Sequence, residues 1–355
     1  MADLIINSDS ERTLYSDKII AEVEDHAFIA GLIGGENDLN SFVTRPGKTR
    51  QNGKLWRIPL RSAVTSDAIE DDGTLEGNEV APVISTTDIV ANMRSKPFGG
   101  QHRFEEIKTL LPLREELYAD ASQWATMDLD KAAFDKMVLA SGSLPTKANR
   151  GASKYNVEFS GDATSWSGLD TSHYITAKGI SRAKTYFRQR GLRPGRIGGG
   201  KSAFIMVIPT EAAFHLRNED KLFQAALKDA LPRSADHVFF KGNGWNPWGA
   251  WDGVILVEDM RAVYGGTNTS FLEMETEDPF KRVECLFLGA QALGYAEWEK
   301  PNWTERLWDY NKRFGVAVSR TIGFEKPVLN RGTLASPSNR EYGMGYYLAT
   351  VPYLG

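Results

Sequence analysis

Between two runs that read as strands lies a stretch that this chain cannot bury. Residues Lys54 to Val64 carry Leu55, Trp56, Ile58, Leu60 and Val64, and Pro82 to Met93 carry Val83, Ile84, Ile89 and Val90, the composition of paired strands. The residues that join them, Thr65 to Val80, hold Asp67, Glu70, Asp71, Asp72, Glu76 and Glu79 and no basic side chain. Moving an unpaired carboxylate out of water is costly. A hairpin with so long and so acidic a tip is therefore predicted to project from its own core.

Two other stretches, residues 34 to 53 and 143 to 170, are rich in Gly, Ser, Thr, Asn and Asp and show no periodic pattern. Unstructured loops longer than about 12 to 15 residues are uncommon in compact domains unless something orders them. A long helix accompanies them. It is predicted to begin within Phe104 to Leu111 and to continue through Leu113, Leu117, Ala121, Trp124, Leu129 and Phe134 to a stop at Gly142. From Leu113 onward, at 1.5 Å per residue, that is roughly 45 Å, far beyond the usual three turns. Three open loops beside one overlong helix predict a subunit completed by its neighbours, and so an assembly protein in preference to an enzyme.

The remaining elements are short. Asp17 to Ile33 has weak helical character, and Thr171 or Ser172 is expected to cap a helix that runs to Arg190 through Ile175, Ile180, Ala183 and Phe187. From Ala203 strands alternate with helices. Strands are predicted at Ala203 to Ile208, Val238 to Phe240, Val254 to Val257 and Gly315 to Phe324, and helices at Thr210 to Leu216 and Lys221 to Leu231. Val283 to Trp298 is apolar with mixed character. The class is α+β.

Charge and composition exclude several functions. With a formal net charge of −4 the chain lacks the basic excess of a protein that grips nucleic acid. The single cysteine, Cys285, rules out an intramolecular disulfide and a thiolate metal cluster, and sits in an apolar run as a core residue would. The start, Met1-Ala2-Asp3-Leu4, does not read as a signal peptide, and no apolar window is long enough to span a bilayer. A cytoplasmic site of synthesis is the expectation.

Motifs that could carry chemistry are weak. Gly195-Arg196-Ile197-Gly198-Gly199-Gly200-Lys201-Ser202 fits the P-loop pattern G-x-x-x-x-G-K-[ST]. That motif needs a strand before the loop and a helix after it, whereas here a helix is predicted before and a strand after. A glycine connection is the preferred reading, with a nucleotide-binding enzyme as the weaker alternative. His26, His102, His173, His215 and His237 are scattered, and the tip acids do not match an EF-hand. Glu105-Glu106 and Glu115-Glu116 point in different directions on a helix and form no acid/base dyad. No catalytic residue, cofactor or metal is predicted. Trp245, Trp248 and Trp251 lie in a glycine-rich loop. Packing or a subunit contact is preferred there to stacking on a sugar or base, the use a carbohydrate-binding module would make of them.

One charge pattern stands out. Lys178, Arg182, Lys184, Arg188, Arg190, Arg193, Arg196 and Lys201 form a basic stretch opposite in sign to the acidic tip. This segregation leads to the expectation that the tip of one copy docks on the basic stretch of another.

The order of several pieces resembles a known family. They are Asp72-Gly73-Thr74-Leu75-Glu76-Gly77-Asn78-Glu79, Phe204-Ile205-Met206-Val207-Ile208-Pro209, His215-Leu216-Arg217, Phe239-Phe240-Lys241-Gly242 and Trp251-Asp252-Gly253-Val254-Ile255. Leu288-Gly289-Ala290-Gln291-Ala292-Leu293, Asp309-Tyr310-Asn311 and Ile322-Gly323-Phe324-Glu325-Lys326-Pro327 follow. Over residues 50 to 330 the chain resembles the major capsid proteins of the coliphage N-four-like family, which have the Hong Kong 97-type capsid fold. The Trp-rich loop and the Arg188 to Lys201 linker depart from the resemblance.

The resemblance implies an N-terminal arm (1–50), an extended hairpin loop (51–100) that overlies a neighbour, and a peripheral domain with a spine helix (101–202). It further implies an axial domain (203–320) and a return to the peripheral domain with a C-terminal tail (321–355). The implied function is that of a non-enzymatic shell protein of a tailed bacteriophage, forming hexamers and pentamers of an icosahedral head around double-stranded DNA. The implied partners are its own copies, scaffold, portal and decoration proteins, and DNA held without sequence-specific binding and without a membrane. The implied place is the virion capsid, assembled in the host bacterial cytoplasm. An encapsulin-like shell is the alternative within the same fold.

Overall fold

Strands with apolar residues on both faces must be covered on both sides, and this requirement organises the molecule. The computed structural model describes residues 9–47, 51–61, 75–76, 84–102, 113–139, 145–150, 153–197, 201–230, 247–259, 280–308, 313–330 and 339–352. In chain order the first elements are α1 (Asp9–His26), β1 (Ile33–Glu36), β2 (Val43–Arg45), β3 (Gln51–Asn52), β4 (Leu55–Arg61), β5 (Ile84–Val90) and β6 (Asn92–His102). Next come α2 (Leu113–Met137), β7 (Val157–Phe159), α3 (Ala177–Gln189), β8 (Gly195–Ile197), β9 (Lys201–Ile208), α4 (Thr210–Asn218) and α5 (Lys221–Ala230). The last are β10 (Pro247–Trp251), β11 (Val254–Glu258), β12 (Phe280–Leu288), β13 (Leu293–Trp308), β14 (Arg313–Glu325), β15 (Val328–Asn330), β16 (Asn339–Glu341) and β17 (Met344–Pro352).

The larger sheet runs β10-β11-β9-β12-β17-β7, with β8 paired to β9. Its central strands are buried throughout, from Ala203 to Ile208 and from Met344 to Val351. Alternate residues enter two different cores. Phe204, Met206, Cys285, Phe287 and Tyr347 face Ile180, Ala183 and Phe187 of α3 and Leu216 of α4. Ile205, Val207, Leu286, Leu288 and Tyr346 face the core that includes Phe134, Met137 and Leu139 at the end of α2. Cys285 is fully buried as expected.

The smaller sheet runs β1-β2-β13-β14-β6. The long helix lies against it. Ala121, Ala125, Leu129, Ala133 and Met137 recur every fourth residue and are buried, so small side chains bring α2 close to the strands. Its 25 residues span roughly 37 Å, shorter than the sequence suggested. The predicted start at Phe104 to Leu111 lies outside the described residues, and the helix ends at Met137, ahead of Gly142. The predicted hairpin forms, with β4 and β5 in register from Leu55↔Val90 to Arg61↔Ile84. Trp56, Ile58, Leu60 and Ile89 bury its inner face against Ala296 and Leu329.

Several local expectations are corrected. The second helix starts at Ala177, where Thr176 Oγ1 accepts from Gly179 N at 3.1 Å. Ser172 does not cap it because its N–H and hydroxyl both bond to Asp170 Oδ1, and Ile175 N donates to Thr350 O on the sheet. Val283 to Trp298 divides into β12 and β13 around a tight turn with Gln291 at φ +57°. Val238 to Phe240 lies outside the described residues. Residues 203–320 contribute to both sheets, and β17 near the C-terminus pairs with β12 in the larger one.

Two of the three open loops are completed within the subunit. Asn37 Oδ1 accepts from Gly47 N, Asp38 Oδ1 accepts from Asn40 N, and Val43 pairs with Leu293. In the described part of 143–170, Asn156 Nδ2 donates to Glu341 O and Met344 O, while Val157 to Phe159 join β17. Polar side chains satisfy the backbone there without periodicity. The loop argument for a subunit completed by neighbours therefore keeps only the acidic stretch.

Candidate subunit interface

The helix α3 presents two faces because its apolar residues Ala177, Ile180, Ala183 and Phe187 all point at the larger sheet. The opposite face carries Lys178, Arg182, Thr185 and Arg188, all exposed. At its side lies an open concavity of about 450 Å³ lined by Arg150, Glu158, Lys178, Arg182, Tyr186 and neighbours. Glu158 is only 1% exposed and is paired with both Arg150 and, at 3.1 Å, Arg182 Nε. The Arg150 guanidinium lies 4.2 Å from the centre of the Tyr186 ring, a cation–π contact that leaves its charge in place. Lys147 stands close by. Its own burial and the charges of Arg182 and Arg150 hold its ammonium below the ordinary lysine range.

The basic stretch read from the sequence does not act as one surface. Arg190 is buried, with Nε donating to Asn156 Oδ1 at 2.9 Å, Nη1 to Arg150 O at 2.7 Å and Nη2 to Ser153 O at 3.0 Å. It ties Arg150, Ser153 and Asn156 together and is not open to a partner, which corrects its place among the contact residues. Lys184 donates to Asp252 Oδ1 at 2.8 Å and to the Asp252 carbonyl, tying α3 to the β10–β11 turn. Arg182 also donates to Gly161 O at 2.7 Å. Lys178, Arg188, Arg193, Arg196 and Lys201 are exposed.

Of the acidic tip, Leu75 and Glu76 are exposed. Asp67, Glu70, Asp71, Asp72 and Glu79 lie outside the described residues, as does Trp245. Trp248 is on β10, and Trp251 is half-buried, its Nε1 donating to Ser181 Oγ at 2.8 Å. Its ring lies 6.1 Å from that of Phe223, so this indole packs within the subunit.

The P-loop match is a β-hairpin. Gly195 to Ile197 pair with Lys201 to Ala203, and Arg196 N donates to Asn40 O. A strand stands on each side and the backbone donor of Arg196 is committed, so no helix N-terminus follows the loop to receive phosphate. Among the described residues no group of three or more His, Cys, Asp or Glu side chains converges on a metal position. No helix among them is long and apolar enough to cross a membrane.

Arg150, Glu158 and Tyr186 are the site residues that the sequence did not reveal. Glu158 sits between Val157 and Phe159 in a segment read as loop, and nothing local links it to Arg182.

Comparison with known proteins places this geometry. The family model described as phage capsid protein matches residues 4–346. The major capsid protein of Pseudomonas phage KPP25 is 25% identical over 346 residues, covering 90% of each chain. Among solved structures, the capsid of Ralstonia phage GP4 has a TM-score of 0.70 at 17% identity, over 93% of each chain. The cyanophage Pam1 capsid has a TM-score of 0.66 at 18% identity, over 91% of this chain and 92% of that one. The capsid of Helicobacter pylori bacteriophage KHP30 has a TM-score of 0.65 at 12% identity, over 91% of each. The fold is the Hong Kong 97-type capsid fold, with α2 as its long helix and β4 and β5 paired as a hairpin. These matches do not confirm the N-four-like group expected from the sequence, and they favour the phage reading over the encapsulin-like one. By its family match over nearly its whole length, the chain belongs to the phage capsid proteins.

Proposed function

We propose that this capsid protein is the major shell subunit of a tailed-phage head, assembling into hexamers and pentamers of an icosahedral shell around double-stranded DNA. The observation that carries the reading is the family match over residues 4–346 on a fold that covers capsid chains almost end to end. In this reading residues 1–50 form the arm, 51–100 the extended loop, 101–202 the peripheral domain, 203–320 the axial domain and 321–355 the return to the peripheral domain with its tail. Ring contacts between copies are heterologous, one patch meeting a different patch on the next subunit. Apolar burial supplies most of the affinity, and charge sets register and salt sensitivity.

Scaffold, portal and decoration proteins would be the other partners, with assembly in the host cytoplasm. The subunit carries no chemistry of its own, and DNA is enclosed without sequence-specific grip, in keeping with the net charge of −4. Electron microscopy of the purified chain, alone and co-expressed with the scaffold protein of its phage, tests the proposal. Closed particles with five- and six-fold rings are expected. Monodisperse single subunits in both preparations would overturn it.

A further inference from the structure

We infer that the concavity beside α3 binds a small phosphate-type oxyanion, held by Arg150, Lys178 and Arg182 with Lys147 close by. The inference goes beyond the shell reading and does not depend on it, because every group that would hold the ion belongs to one subunit.

Three observations carry it. First, cations outnumber carboxylates. Arg150 and Arg182 share the single buried carboxylate of Glu158, and among the described residues neither Lys178 nor Lys147 stands in an ion pair. Lys147 registers the surplus: its own burial, then the charges of Arg182 and Arg150, hold its ammonium below the ordinary lysine range. Second, Tyr186 lines the same recess, and its hydroxyl is buried without a hydrogen-bond partner among the described residues. An unpaired buried hydroxyl costs free energy, and an oxyanion beside it would supply the acceptor. Third, the donors are already ordered. Glu158 is 1% exposed and grips both guanidinium groups, Arg182 Nη1 donates to Gly161 O at 2.7 Å, and Arg150 lies against the Tyr186 ring. Lys178 and Arg182 are four residues apart on one exposed face of α3, which sets their charges side by side. Side chains fixed in advance lose little freedom when a ligand arrives.

The donor set selects the ligand. Guanidinium, ammonium and phenol groups all offer hydrogens, and their match is a compact, multiply charged ion with acceptor oxygens on every side, as inorganic phosphate is. An open concavity of about 450 Å³ admits such an ion together with water. Glu158 beneath it and the exposed Asp162 near Lys147 oppose a long polyanion laid across the site, so a free ion is favoured over a nucleic-acid backbone. Other cations of the basic stretch do not compete, since Arg190 is tied to Arg150, Ser153 and Asn156 and Lys184 to Asp252.

The test titrates inorganic phosphate into the full-length chain by calorimetry, with ionic strength held constant by chloride so that screening does not change. Saturable binding is expected, with a Kd on the order of 1 mM or tighter. Phosphate should also raise the thermal unfolding midpoint where chloride at the same ionic strength does not. Lys147→Gln with Lys178→Gln should weaken binding about tenfold or more. Either single substitution serves if the pair perturbs the near-ultraviolet circular dichroism. Tyr186→Phe, which removes the unpaired hydroxyl, should weaken binding without lowering stability in chloride. Arg188→Gln with Arg193→Gln, exposed cations outside the recess, should bind as the parent does. The inference is overturned if phosphate acts no differently from chloride or if the Arg188, Arg193 variant loses binding equally. Binding of a short DNA duplex at the recess, with free phosphate failing to bind, would overturn it as well.

Discussion

Arg94 on β6 and Arg320 on β14 stand opposite each other in the antiparallel register, and both guanidinium groups bond to one carboxylate, Asp128 of α2. Arg94 Nε lies 2.8 Å and Arg320 Nη2 2.7 Å from Asp128 Oδ2. Two like charges side by side in a sheet repel, and the helix supplies the counter-charge. The long helix is therefore fastened to the smaller sheet by charge as well as by its alanine stripe.

Removing that carboxylate should be costly. Arg320 is 1% exposed, so Asp128→Ala leaves a buried cation without a partner, and a loss of about 3–5 kcal/mol is expected. Urea denaturation of dissociated subunits measures it, with Asp128→Asn falling between the two. Burial by itself would raise the Asp128 pKa, but the bonds from Arg94 and Arg320 hold it below the usual range. The stabilisation is thus present above the unfolded carboxylate value near ~4 and fades as pH falls through the lower folded value. A change in stability confined to neutral pH would contradict this.

Glu284 titrates in the opposite sense. It is fully buried on β12, its Oε1 accepts from Leu139 N at 3.1 Å, and burial pushes its carboxyl up to about 8. Proximity to Glu341 adds to the rise, and the Leu139 bond and Lys326 oppose it. The folded chain therefore holds a proton that the unfolded chain releases near ~4.3. Its contribution is complete below that value and is lost as pH rises through about 8. Glu284→Gln should flatten the stability profile between about pH 5 and 8, with a gain of about 1–3 kcal/mol at neutral pH. Parallel profiles for variant and parent would refute the assignment.

Arg190 and Arg188 look alike in sequence and should behave differently. Arg190→Ala removes three charged hydrogen bonds to Arg150, Ser153 and Asn156 and should cost about 3 kcal/mol or more. Arg188 is exposed, and Arg188→Ala should stay within about 0.5 kcal/mol of the parent. Thermal unfolding of both variants under one buffer decides the matter.

Gly179 allows α3 to approach β17. A Cβ there would lie 2.1 Å from the Tyr347 hydroxyl oxygen, which itself donates to Ser160 Oγ at 3.0 Å. Gly179→Ala should gain about 1 kcal/mol of helix propensity yet destabilise the subunit by about 1–3 kcal/mol through overpacking. A stabilised variant would show that the helix shifts freely.

Much of the architecture was written locally. The apolar residues of Leu55 to Leu60 and the β-branched run Ile84 to Val90 gave the hairpin, and Ala203 to Ile208 gave a fully buried strand. The candidate site was half visible: Lys178 and Arg182 lie on a basic helix face, while Arg150 and Glu158 sit in a stretch without periodicity. Residues 34–47 were misread because Asn37, Asp38 and Ser41 satisfy the backbone through their side chains, a device with no repeating signature.

The sequence by itself determined the period of α2, β4 and β9, the burial of Cys285, the sign of the tip and the basic face of α3. Only the tertiary structure decided that β17 enters the larger sheet beside β12, that Arg190 is a pin and not a contact, and that Arg150, Glu158 and Arg182 meet. The physical reason is range. Periodicity and charge are properties of neighbouring residues, whereas burial and partnership depend on which distant segments share a core, and packing alone selects them.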